Sequence, residues 1–153
     1  MNNINGDNMD ENIEVLQYIV KDSDMGIKSL TTLINSINDK DNKITKVVEG
    51  ILKGYENFLK DSKKIIKKNS YEIKDNSKLA ELSSWMGIKV EVLKDNSDAK
   101  IADIITRGLT MGVLNMEKVI KNYKGDADKK VLTLAKDFFK FQNESINFLK
   151  DYL

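Results

Sequence analysis

The side chains of this sequence best suited to bind a metal ion are carboxylates, because its 153 residues include neither histidine nor cysteine. Without cysteine there are no disulfide bonds, no thiolate nucleophiles and no cysteine-ligated metals. Without histidine the chain lacks the most frequent general base and the usual transition-metal ligand. No serine can therefore belong to a conventional catalytic triad. We predict that the protein is not an enzyme, and we assign no catalytic or cofactor-binding residue.

Four carboxylates remain as candidate metal ligands, because they flank the apolar stripes of predicted helices: Asp24, Glu56, Asp137 and Glu144. A site built only from oxygen atoms would suit Mg²⁺, Mn²⁺ or Ca²⁺. Residues beside an apolar stripe are, however, usually exposed partners of lysines on neighbouring helices. We therefore assign no metal ligand and keep a carboxylate-only metal-binding or metal-storage bundle as the alternative function. That alternative requires at least two of the four carboxylates to point inward and lie close together.

The elements that must position these residues are helices, because apolar residues recur at intervals of three and four. The stripes run from Ile13 to Ile37, Ile44 to Ile65, Ile101 to Val119 and Val131 to Tyr152, the last through Phe141 and Phe148. The second helix is predicted to end around Asn69, and capping residues are predicted at positions 95–98 for the third helix and at Asp126 for the fourth. No stretch alternates as a strand would, and proline is absent. The sequence predicts an all-α four-helix bundle over residues 10–153. Residues 1–9 are predicted to be a disordered tail, with Asp10 capping the first helix.

A shorter amphipathic stretch, residues 78–93, separates the second and third helices. At about 1.5 Å per residue it would form a helix of about 24 Å, long enough to cross back along the bundle. Helices two and three would then be parallel. Trp85, Ile88 and Val92 form a second apolar stripe on this crossover. If that stripe is uncovered, it would bind a protein partner or a second copy; alternatively, both stripes are buried in a groove.

Two features inside the predicted core need a reason. Gly108 and Gly112 lie one turn apart, which predicts close approach of a neighbouring backbone or, alternatively, space for a small apolar ligand. Four polar residues occupy positions that a core stripe would give to apolar ones: Ser23, Ser62, Asn115 and Ser145. We expect each to bond a carbonyl one turn back or Tyr55, or to pack as a small residue, rather than to line a polar cavity.

Two short sequence matches are explained by an internal duplication or, about as well, by chance similarity between helices rich in Leu, Ile and Lys. Met25-Gly-Ile27 recurs as Met111-Gly-Val113, and Asn57-Phe-Leu-Lys-Asp61 recurs as Asn147-Phe-Leu-Lys-Asp151. Each half then reads as one helical hairpin, and two hairpins joined by a long crossover form a recognised bundle topology.

Over about residues 11–153 the chain resembles uncharacterised ferritin-like proteins of low-GC Gram-positive bacteria. The stretches that carry this resemblance are Asp24–Ile27, Gly54–Glu56, Leu93–Ser97 and Ile101–Gly112. Di-iron members of the superfamily carry a Glu on two helices and Glu-x-x-His on the other two. This chain has no histidine. The resemblance therefore implies the ferritin-like architecture without the di-iron ligand set.

The charge balance argues against a broad electrostatic partner, because 25 basic residues offset 24 acidic ones. A net charge of +1 gives no field that would attract nucleic acid or anionic lipid. No apolar run approaches the 18–20 residues needed to span a bilayer, and the N-terminal residues lack signal-peptide features. The sequence thus predicts a cytoplasmic, non-enzymatic helical-bundle protein that binds neither nucleic acid nor membranes. We expect it to act through protein contacts or self-association.

Overall fold

The computed structural model describes residues 4–37, 42–73 and 95–153, with the side chains of residues 4–8 excepted. These ranges contain four α-helices: α1 (Ile4–Ser36), α2 (Thr45–Lys68), α3 (Asp98–Tyr123) and α4 (Lys129–Leu149). A 3₁₀ turn, Lys150–Tyr152, follows α4, and no strand occurs within the described ranges. The prediction of an all-α four-helix bundle is confirmed. The predicted crossover helix and Trp85 lie outside the described residues.

Polar contacts at the two ends of the bundle define its topology. At one end, Asn12 donates from Nδ2 to the Tyr71 hydroxyl at 3.1 Å and accepts from the Asp128 N–H at 2.8 Å. At the other end, Asn42 Nδ2 donates to Asp98 Oδ1 at 2.8 Å. The start of α1, the end of α2 and the start of α4 therefore meet at one end, whereas α2 and α3 both begin at the other. Helices α2 and α3 are parallel, as predicted.

The helices pack as two antiparallel hairpins, α1 with α2 and α3 with α4. Between the hairpins, α1 contacts both α3 and α4, and α2 contacts α4. Tyr71 and Asn96 lie at opposite ends of the bundle, so the length of α2 separates them. That length is about 36 Å for 24 helical residues.

Two helix ends follow the signals in the sequence. Ser97 caps α3, accepting from the Lys100 N–H at 3.3 Å. The Ser97 N–H donates to Asp95, and this hydrogen bond lowers the pKa of the Asp95 carboxyl. At the end of α2, Ser70 has a left-handed φ of 53°. The Tyr71 N–H then bonds the Ile66 carbonyl, which closes the helix in a Schellman motif.

Two helix starts differ from the sequence-based expectation. Helix α1 begins at Ile4, so residues 4–9, predicted as a tail, are helical and Asp10 lies inside the helix. Extending an existing helix by a turn costs little, since only its nucleus is unfavourable. Helix α4 has its N-cap at Asp128 rather than at Asp126.

The largest departure is the orientation of α4. Its predicted stripe ran through Phe141, Phe148 and Tyr152, but the buried face consists of Val131, Ala135, Phe138, Gln142, Ser145 and Leu149. Phe148 is instead 63% exposed. The helix is therefore rotated so that Gln142 faces the core and Phe148 faces solvent.

Candidate functional site

The four carboxylates proposed as metal ligands are not gathered into one site. Asp24 pairs with Lys28 at 3.0 Å and Glu144 lies 3.9 Å from Lys140, both one turn away on the same helix. Glu56 and Asp137 are exposed. Within the described ranges, no group of three or more acidic, histidine or cysteine residues is arranged to hold a metal ion.

A carboxylate that the sequence analysis did not single out is buried instead. Asp22 on α1 is 1% exposed, and Gln142 on α4 is fully buried. Gln142 Nε2 lies 2.8 Å from Asp22 Oδ2 and 3.2 Å from the hydroxyl oxygen of Tyr55 on α2. We call Asp22, Tyr55 and Gln142 the buried polar cluster. It joins three helices at the centre of the bundle.

Gly112 on α3 makes room for this cluster. A Cβ at Gly112 would lie 2.4 Å from Gln142 Nε2, closer than real side chains approach. The glycine predicted to admit a neighbouring backbone thus admits the amide of a side chain. The same amide fills the space beside Gly112 in which a small apolar ligand was considered.

Tyr18 lies one turn before Asp22 on α1 and is 3% exposed. Burial, and next the negative charge of Asp22, raise the pKa of the Tyr18 hydroxyl above its ordinary value; Asn115 on α3, beside that hydroxyl, opposes the shift. A desolvated phenol next to a carboxylate strongly favours its neutral form. Tyr18 therefore stays protonated throughout the physiological pH range.

The core serines behave as small packing residues. Ser145 Oγ donates to the Phe141 carbonyl at 2.8 Å, one turn back, as predicted. Ser23 and Ser62 are fully buried, and their hydroxyls have no hydrogen-bond partner among the residues described. None of these hydroxyls faces a histidine, since the chain has none. The polar groups described in the core thus connect and space the helices.

The surface carries a different kind of site, an apolar groove between α2 and α4 that we call the α2–α4 groove. Its volume is about 510 Å³. Apolar residues and glycines form its floor and walls: Val47, Gly50, Ile51, Gly54, Phe141 and Phe148. Polar and charged residues also line it: Lys46, Lys53, Asn57, Glu144 and the buried Ser145.

Two glycines shape the groove in opposite ways. At Gly54 an added Cβ would lie 2.2 Å from the Phe141 ring, so this glycine makes room for the Phe141 side chain. At Gly50 an added Cβ would have no atom within 4 Å. Glycine in a helix costs roughly 1 kcal/mol against alanine. Within the described structure, nothing occupies the space that Gly50 leaves open.

A packed aromatic group supports the groove from below. Tyr55 and Phe58 on α2 stack against Phe138 and Phe141 on α4, with ring centroids 5.1–5.8 Å apart. Most of these pairs are edge-to-face, the arrangement that aromatic quadrupoles favour. Phe141 is thus held rigidly as a groove wall, and Tyr55 links the groove to the buried polar cluster.

The sequence contains a signal that Asp22 is buried. Asp22 belongs to a heptad stripe of its own, formed by Val15, Ile19, Asp22, Gly26, Ser29 and Leu33. A single carboxylate in an otherwise apolar or small-residue stripe indicates a buried, bonded acid. Gln142 gave a weaker signal, since two apolar stripes compete on α4.

No known protein family, no curated protein and no solved structure matches this chain. Across the residues that the structure describes, no helix is long and apolar enough to cross a membrane. The candidate site is therefore defined by the geometry of the chain alone.

Proposed function

We propose that this protein is a non-enzymatic helical-bundle protein that acts through protein–protein contact, and that the α2–α4 groove is its contact face. The single observation that carries the proposal is the open space at Gly50 beside the exposed ring of Phe148. In an isolated monomer, a helix glycine facing empty space costs helix propensity, and an exposed apolar ring gains little from folding. Both become favourable when an apolar protein surface fills the groove.

The charged edges of the groove suit a protein partner better than a small molecule. Lys46 and Lys53 line the α2 side, and Glu144 lines the α4 side. An apolar centre with a charged rim is the usual anatomy of a protein interface. We include a cytoplasmic location in the proposal, in keeping with the cysteine-free sequence. We propose the ferritin-like resemblance as a relationship of architecture only, without a shared function.

Site-specific photocrosslinking in the native host would test this function. Replacing Phe148 with p-benzoylphenylalanine keeps an aromatic side chain at the groove and allows it to capture whatever protein lies against it. We expect covalent protein adducts at this position. The same replacement at Leu114, which is 48% exposed on α3, serves as the control and should give none. Absence of adducts at residue 148, or equal adducts at both positions, would contradict the proposal.

A further inference from the structure

The two sides of the α2–α4 groove are opposite in both shape and charge. The α4 side carries a projecting ring, Phe148, and an acidic residue, Glu144. The α2 side carries the open space at Gly50 and the basic residue Lys53. The projecting ring of one side therefore matches the open space of the other side, and their charges are opposite. A surface with these properties can pair with a copy of itself.

The heights of these residues along the bundle agree with such pairing. Gly54 lies opposite Phe141. Because α2 and α4 are antiparallel, Gly50 lies level with Ser145, one turn further along α4. Long side chains on a helix lean towards its N-terminus. The ring of Phe148 therefore leans towards the level of Gly50, and the side chain of Glu144 leans towards the level of Lys53.

We infer that the partner in the α2–α4 groove is a second copy of this chain, related by a two-fold axis parallel to the helices. This inference rests on the proposed function and names the partner for the same face. The rotation places α4 of each copy over α2 of the other. Phe148 of one copy then fills the space at Gly50 of the second, and Glu144 faces Lys53 of the second.

Charge selects this arrangement over the other face-to-face dimer. A two-fold axis perpendicular to the helices would place α2 on α2 and bring Lys46 and Lys53 of each copy against the same lysines of the other. Like charges placed opposite one another in an interface are unfavourable. The parallel axis gives two copies of each favourable contact.

The dimer is expected to be weak. A standard stable interface buries about 800 Å² on each partner. The α2 part of the groove, residues 46–57, is only about 17 Å long at 1.5 Å per residue. We therefore expect dissociation in the micromolar range or above. The molar mass must be measured by light scattering up to about 1 mM protein, where the expected result is a dimer.

Disulfide trapping would test the arrangement cleanly, because the chain has no cysteine of its own. Gly50→Cys and Phe148→Cys chains are oxidised separately and as an equal mixture. We expect a disulfide-linked dimer mainly in the mixture, since the parallel axis brings residue 148 of one copy over residue 50 of the other. Leu114→Cys, on the exposed side of α3, is the control and should remain monomeric.

Charge reversal gives a second, independent readout. Lys53→Glu alone and Glu144→Lys alone should each weaken dimerisation about tenfold, because each creates two like-charge contacts. The double variant restores both contacts with reversed sign and should recover the original affinity. Additive loss in the double variant would overturn the pairing.

The outcomes separate this inference from the proposed function. Crosslinking of Gly50→Cys or Phe148→Cys chains with themselves, without enrichment in the mixture, would overturn the parallel axis. A monomer at 1 mM whose residue 148 photocrosslinks to a different protein would overturn the second copy as partner and leave the proposed function standing. A monomer without adducts at residue 148 would overturn both.

Discussion

Two residues of α4, six positions apart, lie in opposite environments. The polar residue is buried and the aromatic residue is exposed. Gln142, a polar amide, is fully buried, whereas Phe148, less than two turns further on, is 63% exposed. Phe141, directly before Gln142, forms a wall of the α2–α4 groove. The buried polar cluster and the groove are thus two results of one helix orientation: the rotation that brings Gln142 to Asp22 also turns Phe148 outward.

The comparison of the buried polar cluster with the α2–α4 groove shows which side chains have partners within the chain. Inside, Asp22, Gly112 and Tyr55 all accommodate Gln142, so the chain itself supplies both the space and the hydrogen-bond partners for the Gln142 Nε2 group. Outside, the space at Gly50 and the ring of Phe148 have no counterpart within the described residues. Four predictions test this contrast, in order of decreasing effect.

The largest effect is expected from removing the buried amide. Gln142→Leu should lower the free energy of unfolding by about 3 kcal/mol, because the Asp22 carboxylate loses the hydrogen bond from Gln142 while remaining buried. The double variant Asp22→Leu/Gln142→Leu should recover most of this loss, since replacing both partners with apolar groups can be nearly neutral. Urea unfolding of both variants checks this. A double variant as unstable as the sum of the single losses would contradict the pairing.

A matched pair of glycine substitutions should change stability in opposite directions. Gly112→Ala should lower the free energy of unfolding by about 1–2 kcal/mol, because the new Cβ collides with Gln142 and this cost exceeds the gain in helix propensity. Gly50→Ala should raise it by about 0.5–1 kcal/mol, since its Cβ enters open space. Thermal and urea unfolding at low protein concentration measure both. The same sign for the two variants would show that the contrast between core and groove is wrong.

Alkaline pH should act on the buried region through Tyr18. Its pKa is raised in the fold, so the unfolded chain releases this proton first, near pH 10. The stability that the neutral phenol contributes is complete below pH 10 and is lost above it, at up to about 1.4 kcal/mol per pH unit. Tyr18→Phe should lack this part of the decline. Urea unfolding of both chains between pH 9 and 11 measures the difference.

The smallest effect on folding is expected at the groove. Phe148→Lys should change the free energy of unfolding by less than about 0.5 kcal/mol in dilute solution, because the ring makes few contacts within its own chain. The same variant should abolish the dimer. Urea unfolding at micromolar concentration, where the monomer predominates, isolates the first effect. A loss of 2 kcal/mol or more would place Phe148 in the core after all.

The fold was predictable because its signals are local. Heptad stripes identified the four helices, and Ser97 and Asn69 marked helix ends that the structure confirms. The parallel course of α2 and α3 followed from the length of the connection between them. The start of α1 was placed too late, because weak helix formers continue a helix more readily than they begin one.

The sites were less predictable because they depend on distant residues. On α4, a stripe through Phe141 and Phe148 and a stripe through Gln142 and Leu149 both fit the heptad spacing. The choice between them depends on Asp22, 120 positions away, and on the missing side chain of Gly112. Hydrophobic periodicity carries no information about partners that are distant in sequence, so it favours the more hydrophobic stripe.

The position of the buried amide also defines the register of the two hairpins. Both hydrogen bonds of the Gln142 amide cross from the second hairpin to the first. Sliding α4 by one heptad would keep its buried stripe nearly intact, but it would place Ala135 or Leu149 where Gln142 now meets Asp22. The carboxylate would then be buried against an apolar side chain, at a cost that a purely apolar seam would not impose. The cluster therefore distinguishes one alignment of the hairpins from its near-equivalent neighbours.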